Sequence, residues 1–212
     1  MLRRPVALTP NQRRTLTVVA SGSSVTLFAA IVGGALAVAG LAGRDPQTLA
    51  GLAVLTAGFA LGVQGAVVAS RWPVATRIVG RERLDELGMT IEMIGGAVSM
   101  LLAVLAIVGV APVALLCVAT VVLGASVCCA APMQPDLAEL GPSSSSPIPF
   151  GPGRTARSAM VVVGIAALLA GVLAGATIVP VMPALLAAVL CLAAAITLAG
   201  GSLAARFSRL VG

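Results

Sequence analysis

Arginine spacing constrains this chain more than any other feature of its sequence. Thirteen arginines and no lysine fall almost entirely into four clusters separated by long, nearly uncharged apolar stretches. Arg3, Arg4, Arg13 and Arg14 open the chain; Arg71, Arg77, Arg81 and Arg83 follow the second apolar stretch; Arg154 and Arg157 follow the fourth; Arg206 and Arg209 close it. Only Arg44 lies elsewhere, beside Asp45. Basic segments stay on the cytoplasmic side during membrane insertion, so the alternation predicts a topology with both termini inside.

Composition excludes the soluble alternative. Mean hydropathy is +1.10, 59% of residues are hydrophobic and 9% charged, whereas a soluble domain carries charge on roughly a quarter of its residues. The net charge of +6 flanks apolar segments rather than covering one soluble face, which points to anionic lipid headgroups and not to nucleic acid. The basic, apolar start has the look of a signal sequence, but its apolar run continues to about Gly43, so it is expected to remain as the first transmembrane helix. Exclusive use of Arg with abundant Ala, Gly and Val suggests a bacterial source and its cytoplasmic (inner) membrane.

A hydrocarbon core about 30 Å thick needs roughly 20 helical residues, and the apolar runs supply six such segments, near 20–43, 48–70, 89–110, 112–131, 159–179 and 183–204. Three connections are very short, so each joins antiparallel neighbours. The fold class is therefore all-α: a polytopic six-helix bundle of three hairpins, 20–70, 89–131 and 159–204. A basic amino-terminal segment (1–19), a 71–88 loop, a 132–158 linker and a 205–212 tail share the cytoplasmic face. Trp72 is the expected interface anchor of the 71–88 loop. Six prolines and the run Ser143 to Ser146 make the 132–158 linker extended, a tether or a polyproline-type docking peptide. The opposite face is nearly bare, which argues against a receptor for a large external ligand.

The hairpins share a skeleton. Gly43, Pro46, Leu49, Ala53 and Gly58 recur at the same spacing as Gly109, Pro112, Leu115, Ala119 and Gly124. In the third, Gly164 precedes Pro180 by the interval that separates Gly96 from Pro112, with no later glycine to match. Each proline falls at a short turn, where one helix ends and the next begins.

This repeated unit of glycine-rich helix, proline turn, second apolar helix and basic loop resembles the HdeD family of acid-resistance membrane proteins. The likeness is carried by IGGAVSMLLAVLAIVGVAP with ALLCVATVVLGASV, and by VVVGIAALLAGVLAGATIVP, and extends as architecture over about residues 29–206. It implies a small six-helix inner-membrane protein linked to survival at low pH. One Trp, no Tyr and the long Ser/Pro linker depart from the family's usual look.

Few residues can carry chemistry. Glu92 is the one ionisable residue placed inside a span, about one turn from its expected start, where snorkelling is cheap. Gln64 lies at a similar depth, within reach of Glu92 if the second and third helices touch; the two form a candidate polar pocket. Gly58 with Gly62, and Gly171 with Gly175, are small-xxx-small pairs expected to pack helices closely, within the chain or between copies, and Gly33, Gly34, Gly95, Gly96, Gly200 and Gly201 are expected to act similarly. Cys117, Cys128, Cys129 and Cys191 sit in apolar runs as packing residues. With no His, no P-loop, no GxSxG and no paired carboxylates within a span, neither an enzyme nor a metal or cofactor site is expected. Two functions follow: a noncatalytic structural or interaction protein, self-associated or bound to another membrane protein, and a small transporter or channel with its pocket at Glu92 and Gln64. A Glu92 that faces the bundle favours transport; one that faces the headgroups favours the first reading.

Overall fold

The computed structural model describes residues 10–69, 84–131 and 152–211; side chains are described for 24–66, 90–129, 131 and 158–197. Six helices follow one another: α1 (Pro10–Leu41), α2 (Pro46–Ala69), α3 (Leu84–Ile107), α4 (Pro112–Ala130), α5 (Pro152–Gly175) and α6 (Val181–Val211). Four begin on proline, whose missing N–H is one of the donors a first turn leaves unpaired anyway. Five helices contain an apolar stretch of 18 residues or more, with Val181–Thr197 as a shorter sixth among the described residues. The chain is a multi-pass, all-helical membrane bundle, as the apolar runs predict. Two helices start inside stretches expected to be loop or linker, α3 at Leu84 and α5 at Pro152. Trp72, Ser143 to Ser146 and six of the thirteen arginines lie outside the described residues.

The three short turns are copies of one another. Gly43, Gly109 and Thr177 take left-handed φ values of 88°, 96° and 58°, and their N–H groups donate to Gly40 O, Ala106 O and Ala174 O at 3.0 to 3.1 Å. The next helix then opens with Leu49 N–H to Asp45 O, Leu115 N–H to Ala111 O and Ala184 N–H to Pro180 O. The third turn is thus one residue longer. Val181, not Pro180, stands where Pro46 and Pro112 stand, which shifts the third hairpin's register by one from the sequence reading.

The helices close into a ring. Each packs on its neighbours in sequence, α6 returns to α1, and α2, α4 and α6 also meet across the middle. The second helix of every hairpin is therefore inner, and each first helix fills the groove between two inner ones. Burial repeats with this pseudo-threefold order. On the first helices the stripe Thr26, Ala29, Ala30, Gly33, Ala37, Gly40 recurs as Glu92, Gly95, Gly96, Ser99, Ala103, Ala106. It recurs again as Met160, Val163, Gly164, Ala167, Gly171, Ala174, where only Val163 is partly exposed. On the inner helices Ala50, Val54, Ala57 and Leu61 correspond to Leu116, Thr120, Leu123 and Val127, and to Leu185, Val189, Leu192 and Ile196, all buried. Aliphatic side chains fill the centre, and the exposed face is apolar too, with Phe28, Leu101, Val162 and Leu169 among its large residues. Lipid is the solvent that such a face requires.

Candidate functional site

Backbone contact sets the position of everything polar. A Cβ built on Gly96 would lie 2.6 Å from Gly58 O and 2.7 Å from Gly62 N, and one on Gly58 would lie 3.0 Å from Gly96 O. The α4–α5 seam repeats this, with Gly124 facing Gly164 O and Leu168 N at 2.7 Å, and Gly164 facing Cys128 N and Gly124 O at 2.9 Å. Only glycine lets two helix backbones approach this closely. The closing seam, α6 to α1, carries Ala193 and Ala30 at the corresponding places, and both are buried. Gly34 meets Ala193 Cβ there at an ordinary 3.7 Å.

Of the glycine pairs singled out in the sequence, one member of each is pinned. Gly58 is locked, whereas a Cβ on Gly62 meets nothing within 4 Å. Gly171 faces Val121 Cγ2 at 2.8 Å and Cys117 O at 3.1 Å, while Gly175 has only Cys117 Cβ at 3.8 Å. The closest approaches to a facing backbone, at Gly96, Gly124 and Gly164, were visible in the repeat rather than in a GxxxG motif.

Glu92 sits one turn before Gly96, on the stripe that faces the bundle, and is 4% exposed. Its helix begins at Leu84, eight residues or about 12 Å before it, with the charged Asp85 and Glu86 in the first turn. Gly95, beside Gly96 on α3, faces α4, where a Cβ on it would overlap Ser126 Oγ. Glu92 therefore lies on the side of α3 that packs between α2 and α4, one turn from the level at which Gly95 meets Ser126.

Gln64 reaches the same level but a different face. It is two residues beyond Gly62, roughly 200° around the helix axis, and one turn beyond Ala60. Ala60 packs in a small cluster with Ala29, Ala30 and Ile196 of α1 and α6. The amide thus projects toward α1 and α6 and the carboxylate toward α4, so the single pocket expected from depth alone divides in two. Gln64 Oε1 is buried with no hydrogen-bond partner among the described residues.

Comparison with protein-family models, with curated proteins and with solved structures finds no match to this chain. The chain's own repeat supplies the comparison instead. Position 92 is Thr26 in the first hairpin and Met160 in the third, each 3% exposed. The groove needs something buried at this point, and a threonine and a thioether both serve. A carboxylate is not a packing requirement there.

The second hairpin differs from the other two in a consistent direction. Ser126 corresponds to Ala60 and Ala195, Ser99 to Gly33 and Ala167, and Thr120 to Val54 and Val189. Ser99 donates across the α3–α4 seam to Ala119 O at 3.4 Å; Ser126 and Thr120 donate within α4 to Val122 O and Leu116 O, both at 2.8 Å. Glu92, Ser126 and Ser99 share the α3–α4 face, whereas Thr120 takes Val54's place nearer the centre. Sequence reasoning passed over both serines, because a lone Ser in an apolar helix reads as adhesion; comparison of aligned repeats would have found them. Arg44 and Asp45 are exposed in the first short turn. Cys117 is buried, Cys128 half-buried, and Cys129 and Cys191 exposed. Among the described residues no three His, Cys, Asp or Glu side chains gather as metal ligands.

Proposed function

We propose that this chain is a small, noncatalytic transporter or channel-type protein of the bacterial inner membrane, with Glu92 as its embedded acidic group near the cytoplasmic side. The supporting observation is the burial of Glu92 at a position that its two counterparts fill with Thr26 and Met160. A carboxylate in a bundle is costly, and where the fold does not need it, a role in handling a solute is the physical reason to keep it. Beyond Ser99 the stripe continues as Ala103 and Ala106, both buried, so passage requires the α2–α3 seam to loosen and not a permanent pore. The spacing of the arginine clusters supports a cytoplasmic position for the Glu92 end. Flux of ions and small solutes into vesicles reconstituted with the full chain, compared with Glu92→Gln, tests this. Flux equal in the two proteins removes Glu92 as the site, and absence of flux for every solute tried removes the transport reading.

A second reading, a structural or interaction protein of HdeD-like type that supports acid or envelope stress tolerance, rests on the glycine-locked seams and the apolar outer face. Its partner is a second copy or another membrane protein. Deletion that leaves low-pH and envelope-stress survival unchanged, together with purification in mild detergent as a lone monomer, would count against it.

A further inference from the structure

We propose that the ring opens at the α1–α6 seam, at the end away from the short turns, and that the unpaired Gln64 amide favours the open form. This goes beyond the transport reading and does not rest on it. Connectivity is the first observation. The other five seams join helices consecutive in the chain, so a turn or a loop tethers each, whereas α1 and α6 are the first and last helices and packing alone holds them together. That packing is also the loosest of its kind. The α2–α3 and α4–α5 seams bring backbone against backbone at glycine, but Gly34 of α1 meets Ala193 Cβ at 3.7 Å, an ordinary contact. Among the described residues the α1–α6 seam is the least extensive of these three, although its helices are the longest at 32 and 31 residues.

The seam is graded along its length. Near the short turns a Cβ on Gly40 would lie 2.9 Å from Leu186 Cδ2 and 3.4 Å from Leu49 Cβ, and Leu186 belongs to the main core. Toward the other end the buried filling is Ala29, Ala30, Ala60 and Ile196, a cluster apart from that core. Lipid tails are as apolar as these side chains, so only their packing contacts oppose separation, and alanine makes few of them. One turn beyond Ala60 lies Gln64, on the side of α2 toward this seam, with Oε1 buried and unpaired among the described residues. A buried polar atom without a partner carries its full desolvation cost. Parting α1 from α6 lets water or headgroups reach the amide, which removes that cost from the open form alone. The short-turn end is thus the hinge, and the Gln64 end is where the gap forms.

The test is double electron–electron resonance on the full chain in lipid nanodiscs, with the native cysteines replaced by alanine and nitroxides attached at cysteine pairs. Phe28→Cys with Ala194→Cys reads the α1–α6 seam, and Phe59→Cys with Ala97→Cys reads the glycine-locked α2–α3 seam; all four positions are exposed. The α1–α6 pair is expected to show two distances, the second longer by about 5 Å or more, and the α2–α3 pair only one. Gln64→Leu and Gln64→Met leave no unpaired amide, so each should lower the ratio of open to closed by about fivefold or more. Both substitutions are apolar, and an unchanged α2–α3 distance checks that the variants keep the fold. A single distance at the α1–α6 pair overturns the proposal. A second distance of equal weight at both seams, which is breathing of the whole bundle, also overturns it. Two distances at α1–α6 whose proportions neither Gln64 variant changes overturn the role given to the amide.

Discussion

Gly96→Ala is the substitution whose outcome the backbone geometry decides most directly. The added methyl would lie 2.6 Å from Gly58 O, 2.7 Å from Gly62 N and 3.0 Å from Gly62 Cα. None of these is a flexible side chain, so α2 and α3 must part by about 1 Å to restore contacts near 3.5–4 Å. Overpacking of this kind costs about 1–3 kcal/mol. A gap of that size along the seam forfeits a quarter to a half of the dispersion energy of the atoms that lose contact. Alanine returns about 1 kcal/mol through its better helix propensity, for a net loss of about 0–2 kcal/mol. Gly62→Ala, one helix turn from Gly58, meets no atom within 4 Å and should show the propensity gain alone. The two variants should therefore differ by about 1–3 kcal/mol in reversible unfolding of the full chain by sodium dodecyl sulfate in mixed micelles, followed by circular dichroism. Gly164→Ala, whose methyl would meet Cys128 N and Gly124 O at 2.9 Å, should fall within about 1 kcal/mol of Gly96→Ala. Equal stability of the Gly96→Ala and Gly62→Ala proteins would refute the close seam, and a neutral Gly164→Ala would refute the equivalence of the two seams.

Three further outcomes follow from the same geometry. Thr177→Gly should raise the melting temperature by about 2–4 °C, because a β-branched residue at φ 58° gives up roughly 1 kcal/mol that glycine does not; a decrease would show that the side chain contributes more than the strain it carries. Leu123→Ala, in the filled centre, should cost about 2–4 kcal/mol in micelle unfolding, and a change below about 1 kcal/mol would mean that the middle of the ring is loosely packed. Ser99→Ala, which removes the hydroxyl donor to Ala119 O, should cost only about 0.6 kcal/mol in the same assay, since a hydrogen bond between membrane helices is weak against its alternatives.

Helix number, hairpin pairing and the position of each short turn were legible in the sequence because each has a local cause. Apolar runs of spanning length make the helices, and Pro46 and Pro112 cannot continue a preceding helix. The third hairpin was misaligned by one residue because its turn runs from Thr177 to Pro180, and length differences in turns leave no trace in composition. The start of α3 was misplaced for a related reason. Hydropathy marks where an apolar span starts, but α3 begins at Leu84, among residues whose charge hides the helix from a hydropathy reading. Gln64 was placed at the right level and joined to Glu92 because depth follows from residue counting, whereas the face of a helix that meets a neighbour follows from which seams close. Once Gly58, Gly62 and Gly96 fix the α2–α3 seam, Gln64 must face away from it.

The repeat therefore separates what the fold requires from what it does not. Where all three hairpins agree, as at the buried positions Ala53, Ala119 and Ala188, or Leu61, Val127 and Ile196, packing is a sufficient cause. Where two agree and one differs, packing has already been shown to accept another residue. The glycines of two seams are structural because backbone faces them directly, whereas Ala30 with Ala193 makes the closing seam the one without such glycines. Ser126 and Thr120 are the residues this criterion leaves without a packing requirement, and Glu92 and Ser99 stand where all three hairpins differ. Of these Glu92 is the costly one, because a hydroxyl can bond its own helix, as Ser126 and Thr120 do, whereas a carboxylate within a bundle is expensive to bury.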